Sequence, residues 1–321
     1  MVVGAGFASG RELTDYFLSF GDRWQAGVFI SGILFFLVFY CVTIIVNTKN
    51  INSCSEYLSV IMDEKTAVFT EWASGLFFCF LYFAMVSATG VLAKEIFNIN
   101  SNIGVICMVV ICMVVMLKGM GIVEGLSVML VPLLVIGVVL IGLYSGEEVV
   151  IVSNMKGSVA LSAIIYVSYN TITAASVIAQ SEKGRSKVDA VVTGIMCAVV
   201  MTVMGLLIGK AILSTDADVL KAEFPFAISS KVLGRNFYCA YIVVFLAAII
   251  TTAMCNAIAA MDFIKSRFEL TKMSVVCILS GAAIIFSYVK FSDFVSKVFP
   301  IFGLAGILQM LNTIKYSIKS R

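Results

Sequence analysis

The sequence predicts an all-α integral membrane protein that folds as two inverted halves of five helices each. Three observations lead to this prediction. First, 61% of the 321 residues are apolar and only 13% are charged, whereas soluble domains average about 45–50% and about 25%. Second, apolar segments long enough to cross a bilayer recur along the whole chain. Third, the chain matches itself when it is shifted by about 165 residues.

The apolar segments predict nine full membrane spans and one interrupted span. A helix needs roughly 20 apolar residues to cross a hydrocarbon core about 30 Å thick. By this rule the full spans lie near 25–46, 71–97, 102–118, 122–144, 158–181, 186–210, 236–264, 273–290 and 293–315. The interrupted span is the start of the chain, residues 1–20. We therefore expect a single transmembrane domain over 1–321.

The internal match predicts two repeats. Pro132 and Pro300 lie inside spans, and each is followed within a few residues by a glycine. The same offset superposes most of the spans and places the interrupted start on 158–181. We predict repeat one over 1–144 and repeat two over 158–316. Because each repeat holds an odd number of spans, the second lies inverted in the membrane. Five-plus-five inverted repeats with a broken first helix in each half are the layout of one large group of secondary transporters. The alternative is an accidental match among ten apolar segments.

The first candidate site is the glycine-rich start of the chain. It reads Gly4-Ala5-Gly6-Phe7-Ala8-Ser9-Gly10-Arg11-Glu12. Each glycine weakens a helix by roughly 1 kcal/mol relative to alanine, and a membrane tolerates freed backbone groups only where they face protein or a water-filled cavity. We interpret the stretch as an unwound segment whose amides receive an anion and whose carbonyls can receive a cation. The alternative is close helix packing through small residues.

The second candidate site lies in the middle of the span 158–181. There Tyr166, Ser168, Tyr169 and Asn170 interrupt an apolar run, although buried amide and hydroxyl groups cost free energy unless they have partners. Because this segment is the repeat mate of the glycine stretch, we predict a second broken helix. Two breaks at matched depths indicate a binding site at the membrane midplane. The alternative is a cluster of hydrogen bonds between helices.

The third candidate site lies on span 236–264. Ala248, Thr251 and Thr252 share one helical face. A backbone carbonyl and two hydroxyl groups are oxygen ligands suited to a small hard cation. The alternative is that each threonine bonds a carbonyl of its own helix.

A few ionisable residues deserve separate interpretation. Arg11 and Glu12 directly follow the glycines and are candidates for a gate pair or for a cap on the outer half-helix. Glu12 and Glu124 are candidate proton carriers. For charged residues near span ends, the alternative is a long side chain that reaches the membrane surface.

The Lys and Arg distribution predicts the orientation. It favours a cytoplasmic C-terminus, so we expect a multi-pass protein of the cell membrane with the segment 211–235 outside. That segment carries Asp216, Asp218, Glu223 and Pro225, and it could fold as a short helical lid.

Composition excludes several classes of function. The chain has no histidine, which rules out Ser/His/Asp and Cys/His nucleophiles, His metal sites and His haem ligands. No other catalytic constellation is visible, so we expect no enzyme activity, and no cofactor apart from a candidate sodium ion. The formal charge of +3 is scattered, so nucleic acid is not an expected partner. The expected partners are the lipid bilayer and a small-molecule substrate, and the oligomeric state stays open.

The residues at the first site carry a resemblance to a known family. Val3-Gly4-Ala5-Gly6-Phe7-Ala8-Ser9-Gly10-Arg11-Glu12 resembles the first-helix signature of the YkvI-type amino-acid permeases, and Tyr166-Val167-Ser168-Tyr169-Asn170 resembles their sixth helix. This group is similar to the amino acid–polyamine–organocation superfamily, whose members share the LeuT-like five-plus-five fold. The resemblance implies a solute site between broken first and sixth helices.

The resemblance also implies roles for individual residues. A substrate carboxylate would meet the stretch Gly4–Gly10, with Tyr166 to Asn170 on the opposite wall. A sodium ion would bind the carbonyl of Val3 together with Ala248, Thr251 and Thr252. Members of the family begin with a further half-helix before the glycines, so we expect the first helix to be truncated in this chain.

These features favour a secondary active transporter of a small zwitterionic solute, above all an amino acid, coupled to sodium or protons by alternating access. A non-transporting membrane receptor or sensor on the same fold is the alternative, and gradient-driven uptake separates the two. A channel is disfavoured because the sequence shows no ring of pore-lining charges.

Overall fold

A computed structural model of the chain describes residues 4–119, 121–147, 157–181 and 187–319, without the side chains of 121–128, 180, 181 and 187. Nine long helices account for most of these residues. They are α3 (Trp24–Lys49), α5 (Glu64–Glu95), α6 (Ser101–Lys118), α7 (Gly121–Tyr144), α8 (Val159–Ser181), α9 (Lys187–Leu213), α11 (Arg235–Arg267), α12 (Lys272–Phe286) and α14 (Phe299–Lys319). Each corresponds to one of the nine predicted spans.

The first span is broken, as the glycines predict. It consists of α1 (Ala5–Ser9) and α2 (Arg11–Leu13), and α2 continues as a π-helical turn over Thr14–Leu18. Gly10 separates the two helices with φ of 77°, a left-handed conformation that glycine adopts without a steric penalty. The chain therefore changes direction inside the bundle, where an uninterrupted helix would have continued.

The prediction of a second broken helix is wrong. The predicted span 158–181 forms α8, which is a continuous helix through the segment predicted to break. Its polar side chains donate to carbonyls of their own helix instead of opening it. The amide of Asn170 donates to the Tyr166 carbonyl at 2.9 Å, and the Thr171 hydroxyl donates to the Val167 carbonyl at 2.8 Å. The helix also contains no glycine or proline, so nothing in its backbone favours a break.

Several helices pack against the helix that the internal match assigns as their repeat mate. The pairs are α3 with α9, α5 with α11 and α6 with α12. Direct contact between mates is what a two-fold axis between inverted halves produces. α8 packs between α3 and α14 and so forms the wall that faces the broken first span.

Shorter elements close the two ends of the bundle. At one end lies the lid, residues 214–234, which folds into a 3₁₀ turn over Ala217–Lys221, α10 (Pro225–Ser229) and a 3₁₀ turn over Ser230–Leu233. The predicted helical character of this segment is confirmed. At the opposite end α4 (Cys54–Ile61) packs against α5, α8 and α14. The last span starts at the lid end with α13 (Phe291–Asp293) and a π-helical turn over Phe294–Val298.

The outward faces of the helices are apolar, as a protein dissolved in lipid requires. On α6, large apolar side chains three and four residues apart are 39–55% exposed; they are Ile103, Ile106, Val110, Val114 and Leu117. Among the described residues, seven helices are long and apolar enough to cross a membrane, and Met129–Tyr144 and Lys272–Phe286 are shorter apolar helices. The chain is a multi-pass membrane protein.

Candidate solute-binding site

The break at Gly10 is held by specific contacts. A β-carbon at this position would lie 2.7 Å from Cδ1 of Ile212 and 2.7 Å from Cβ of Phe226, so the lid and α9 leave room for glycine alone. The Ser9 hydroxyl donates to the Gly6 carbonyl at 2.6 Å and accepts the Arg11 amide at 3.1 Å.

A second hydroxyl group reaches the break from α11. The Tyr241 hydroxyl donates to the Ala8 carbonyl at 2.9 Å. Backbone groups freed by a break inside a membrane need partners. At Gly6, Ala8 and Arg11 the protein supplies them from its own side chains.

The side chain of Glu12 turns back over α1 and rests against Gly6. A β-carbon on Gly6 would collide with Oε1 of Glu12, so the glycine makes the space that the carboxyl group fills. Glu12 is only 7% exposed. The expected anion-binding surface of the glycine stretch therefore already has a carboxyl group of the protein beside it.

Three tyrosine rings pack together next to this carboxyl group. Tyr16 follows Glu12 by one helical turn, and Tyr166 and Tyr169 lie one turn apart on α8. All three pairs of ring centroids are 5.6 Å apart. We call these three residues the tyrosine triangle. It joins the first span to α8 at the centre of the bundle.

The Glu12 carboxyl group interacts with the hydroxyl groups of Tyr166 and Tyr169. Within the described part of the chain, neither hydroxyl has a partner at full hydrogen-bond geometry. The carboxyl group thus lies near both hydroxyls without saturating either. Tyr166 and Tyr169 are 1% and 2% exposed, and buried polar groups that are not fully bonded usually have a reason to remain so.

Apolar rings pack against Tyr166 and Tyr169 and give them a largely apolar environment. Phe17 and Phe35 contact the ring of Tyr166 with centroids at 5.2 and 5.8 Å, and Phe299 contacts Tyr169 at 5.5 Å. Electrostatic interactions are stronger in such a low-dielectric region than in water. A charged or polar group that reaches Glu12 would therefore interact with it strongly.

A cavity of about 450 Å³ lies on the lid side of the tyrosine triangle. It is lined by the end of the first span, the start of α8, the lid and the start of α14; the residues are Thr14, Asp15, Tyr16, Ser19, Phe20, Gly157, Ser158, Leu161, Ser162, Ile165, Leu220, Ser296 and Pro300. We call this cavity the vestibule. Its volume is in the range of small-molecule sites. Tyr16 is the residue that belongs to both the vestibule and the triangle.

The lid is tied to the first span by Arg11. Its guanidinium group forms an ion pair with Asp15 and donates to the carbonyls of Leu220 and Ala222 at 3.2 and 3.1 Å. The sequence suggested Arg11 and Glu12 as a gate pair, and the structure corrects this, because the ion-pair partner of Arg11 is Asp15. The guanidinium charge is thereby directed to the lid side, away from the glycines.

The opposite end of the bundle is closed by polar contacts among α4, α8 and α14. The Tyr57 and Thr313 hydroxyl groups are 2.6 Å apart, and the Ser176 hydroxyl donates to the Cys54 sulfur at 3.2 Å. The side chain of Tyr57 is fully buried. The residues that line the vestibule lie at the lid end, and Tyr16 connects the vestibule to the tyrosine triangle on that side.

The predicted residues of the sixth span divide between two faces of α8. Tyr166 and Tyr169 face Glu12. The Ser168 hydroxyl donates towards the Gly303 carbonyl of α14 at 2.8 Å, and Gly306 packs against the Ser168 backbone so closely that a β-carbon would collide with it. Ser168 therefore holds α8 against α14, and the amide of Asn170 bonds its own helix.

The predicted residues of the first span lie on α1 and at its ends. Ala5, Gly6 and Phe7 are buried, Gly4 is half-buried, and Gly10 is the break itself. Of these, Gly6 is the residue that contacts the Glu12 carboxyl group.

The predicted cation ligands are placed in two different ways. The Thr252 hydroxyl reaches the first span and accepts the Ala5 amide at 3.4 Å. The Thr251 hydroxyl donates to its own helix, towards the Ala247 and Ala248 carbonyls at 3.0 and 3.1 Å. Thr252 is thus directed towards the first span, whereas Thr251 is bonded to the Ala248 carbonyl, so these residues do not converge on one point in this conformation. Val3 and the side chain of Glu124 lie outside the described residues.

Sequence reasoning missed Tyr16, Asp15 and the contacts of α4. A signal for Tyr16 was available, since it follows Glu12 by four residues and so shares its helical face. The π-helical turn that carries Tyr16 had no sequence signal, although such turns are frequent at functional sites.

Comparison with known proteins identifies the fold. No model of a known protein family matches the chain. It is 24% identical over 323 aligned positions to a protein described as the uncharacterized membrane protein YkvI of Bacillus subtilis (strain 168), covering 95% of this chain and 90% of that protein. It is 21% identical over 338 aligned positions to the uncharacterized protein YyaD of the same organism, covering 100% and 95%.

A solved structure, the inward-facing conformation of Mhp1, superposes with a TM-score of 0.59 at 14% identity, covering 95% of this chain and 70% of that one. This likeness shows the fold, which is the LeuT-like fold that Mhp1 has. The membrane-protein relative agrees with the predicted resemblance, and the YkvI-type permease family itself remains an expectation.

Proposed function

We propose that the protein is a secondary active transporter of a small organic solute in the cell membrane, working by alternating access. The observation that carries this proposal is a buried polar site at a broken helix, with a vestibule on one side and a closed contact on the other. Such a site at the interface of two repeats is the arrangement found in transporters of this layout. The fold shared with Mhp1, which has a named inward-facing conformation, supports the same mechanism.

In this mechanism the solute enters through the vestibule, displaces the ring of Tyr16 and reaches Glu12. The Tyr16 hydroxyl donates to the Val295 carbonyl at 3.3 Å, a long hydrogen bond that a solute can replace. Closing of the lid side and opening of the contacts between Tyr57 and Thr313 would then release the solute on the other side. The Lys and Arg distribution supports a lid that faces outside.

We propose an amino acid as the first solute to test, because the first-span residues resemble those of amino-acid permeases. Coupling to sodium is supported by Thr252, whose hydroxyl lies between α11 and the first span. Coupling to protons is supported by Glu12, a buried carboxyl group at the centre of the bundle. Sodium coupling predicts uptake that needs a sodium gradient, and proton coupling predicts uptake that needs a proton gradient. One uptake experiment can therefore separate them.

The test is solute uptake into proteoliposomes that contain the purified chain. A panel of amino acids and their decarboxylated amines is offered under an inward sodium gradient, an inward proton gradient, or no gradient. Saturable accumulation that needs one of the gradients is the expected result. A Glu12→Gln variant should lose accumulation, whereas Glu269→Gln, which changes an exposed carboxylate, should retain it. Binding without accumulation under any gradient would favour a receptor, and the proposal would be abandoned.

A further inference from the structure

We infer that the buried site recognises an organic ammonium cation through Glu12, Tyr166 and Tyr169, and that it disfavours a solute carboxylate. This inference rests on the proposed function and narrows its substrate class from a small organic solute to an amine.

The charge of Glu12 has no compensating cation among the described residues near it. The neighbouring charged groups are Asp15 and Arg11. Asp15 carries the same sign, and the guanidinium group of Arg11 is committed to Asp15 and to the lid carbonyls. A buried carboxylate is costly unless it is paired. A cationic ligand would supply the missing partner.

The hydrogen-bond capacity at the site matches an ammonium group. A protonated primary amine has three N–H donors and no acceptor. The Glu12 carboxylate and the hydroxyl oxygens of Tyr166 and Tyr169 supply three acceptor groups, because each hydroxyl oxygen keeps free lone pairs while it interacts with Glu12. An ammonium group placed among them would satisfy all three.

The rings of the tyrosine triangle favour the same kind of ligand. The face of an aromatic ring attracts a cation within about 6 Å, and the attraction grows when the site is dry. The three rings contact one another at 5.6 Å, so an ammonium group enters only after one ring has moved. Tyr16 is the ring that lines the vestibule, and the hydrogen bond from its hydroxyl group to the Val295 carbonyl is long, at 3.3 Å.

The glycine stretch supplies the argument against a carboxylate. Its Gly6 is the position at which a solute carboxylate would meet backbone amides, and Oε1 of Glu12 lies directly over it. A solute carboxylate bound at Gly6 would lie beside the Glu12 carboxylate, and the two would repel each other strongly in a low-dielectric site. The space that the glycine creates is occupied by the side chain of Glu12. An amino acid would therefore bind less tightly than the amine that shares its side chain.

The test compares matched compounds on the purified full chain. Three pairs differ only by the carboxylate: phenylalanine and phenethylamine, leucine and 3-methylbutylamine, and lysine and 1,5-diaminopentane. Binding is measured by calorimetry and by the shift in melting temperature. For at least one pair we expect the amine to bind at least about tenfold more tightly than the amino acid, which corresponds to about 1.4 kcal/mol.

Variants then assign the recognition to the three residues. Glu12→Gln should abolish amine binding, and Tyr166→Phe or Tyr169→Phe, which keep the rings, should weaken it several-fold. Tyr288→Phe and Glu269→Gln change exposed side chains and serve as controls for folding and for nonspecific charge effects. A melting curve confirms that each variant is folded before binding is compared.

Several outcomes overturn the inference. Equal or tighter binding of the amino acid in every pair would do so, as would amine binding that survives Glu12→Gln. Absence of amine binding to the folded protein also overturns it. In that case gradient-driven uptake of another solute leaves the proposed transport function standing, whereas absence of all uptake removes both.

Discussion

The hydroxyl groups of Tyr57 and Thr313 are joined by a 2.6 Å hydrogen bond that links α4 to α14 at the end of the bundle opposite the vestibule. Thr313 also donates to the Gln309 carbonyl at 2.7 Å, so its single proton is used and Tyr57 is the donor between the two. Because Tyr57 is fully buried, this bond can form only while α4 stays docked. It therefore belongs to the closed state of this end.

Removing the Tyr57 hydroxyl should make this end open more often. Tyr57→Phe keeps the ring and removes one buried hydrogen bond, which typically contributes about 1 kcal/mol. If that energy favours the closed state alone, the open population rises about fivefold. The Cys54 sulfur, which accepts the Ser176 hydroxyl beside this contact, reports on opening through its rate of alkylation in a variant that has no other cysteine.

The control for this experiment is Tyr288→Phe. It makes the same chemical change, loss of a tyrosine hydroxyl group, at a side chain that is 79% exposed. Its alkylation rate should equal that of the parent. An unchanged rate in Tyr57→Phe would mean that α4 does not move when this end opens.

Gly6→Ala should disable the site without unfolding the protein. The added β-carbon collides with Oε1 of Glu12, the end of a flexible side chain that can move aside. The carboxyl group would then leave the hydroxyl groups of Tyr166 and Tyr169, and we expect uptake to fall at least about tenfold, the effect of losing about 1.4 kcal/mol of interaction. Initial uptake rates and melting temperature are measured together.

Gly281→Ala is the matched control, since a β-carbon there meets nothing within 4 Å. In a helix this substitution should raise stability by up to about 1 kcal/mol and leave uptake unchanged. If Gly6→Ala transports normally, Glu12 does not need its position over the glycine and the site must be reassigned.

The fold was predictable from the sequence because its determinants are local. Apolar length marks each span, and Gly10 marks the break of the first, since only glycine adopts the required left-handed conformation beside Phe226. The continuity of α8 was not predictable from polarity. Whether Asn170 opens a helix or bonds the Tyr166 carbonyl is decided by the packing of neighbouring helices.

The site was only partly predictable, because its chemistry depends on contacts between distant segments. The sequence singled out Gly6, Tyr166 and Tyr169 but assigned the glycine stretch to a solute carboxylate. The position of the Glu12 side chain over Gly6 accompanies the break of the first span at Gly10. No sequence pattern predicts where the Glu12 side chain points. Its position over Gly6 changes the expected ligand from a carboxylate to a cation.

Arg11→Lys should loosen the lid. The guanidinium group reaches Asp15 through two nitrogens and the Leu220 and Ala222 carbonyls through a third, and a lysine ammonium is too compact to hold both sets. Hydrogen bonds from a charged group contribute about 1.5–3 kcal/mol. Hydrogen exchange of the amides over 214–224 should therefore become about 10- to 100-fold faster.

A substitution within the same segment provides the comparison. Lys221→Gln removes an ion pair with Asp218 whose side chains are 83% and 91% exposed, and such pairs contribute little. Exchange should be unchanged in this variant. Equal exchange in Arg11→Lys and in the parent protein would show that the lid is held by its apolar contacts, above all those of Phe224 and Phe226.

The last prediction concerns sodium and separates two adjacent threonines. The Thr252 hydroxyl accepts the Ala5 amide of the first span and has a second lone pair free for a cation, whereas the Thr251 hydroxyl bonds carbonyls of its own helix. If sodium drives transport, Thr252→Val should raise the half-saturating sodium concentration at least about tenfold. Thr252→Ser keeps a hydroxyl group and should leave that concentration near the value of the parent protein.

Thr251→Val is the control and should have a smaller effect, since the Thr251 hydroxyl is already bonded within α11. The measurement is the initial uptake rate at increasing sodium with potassium as the replacement ion. Equal sodium dependence in Thr252→Val and the parent protein would remove sodium from this face of α11 and leave Glu12 as the group that couples transport to protons.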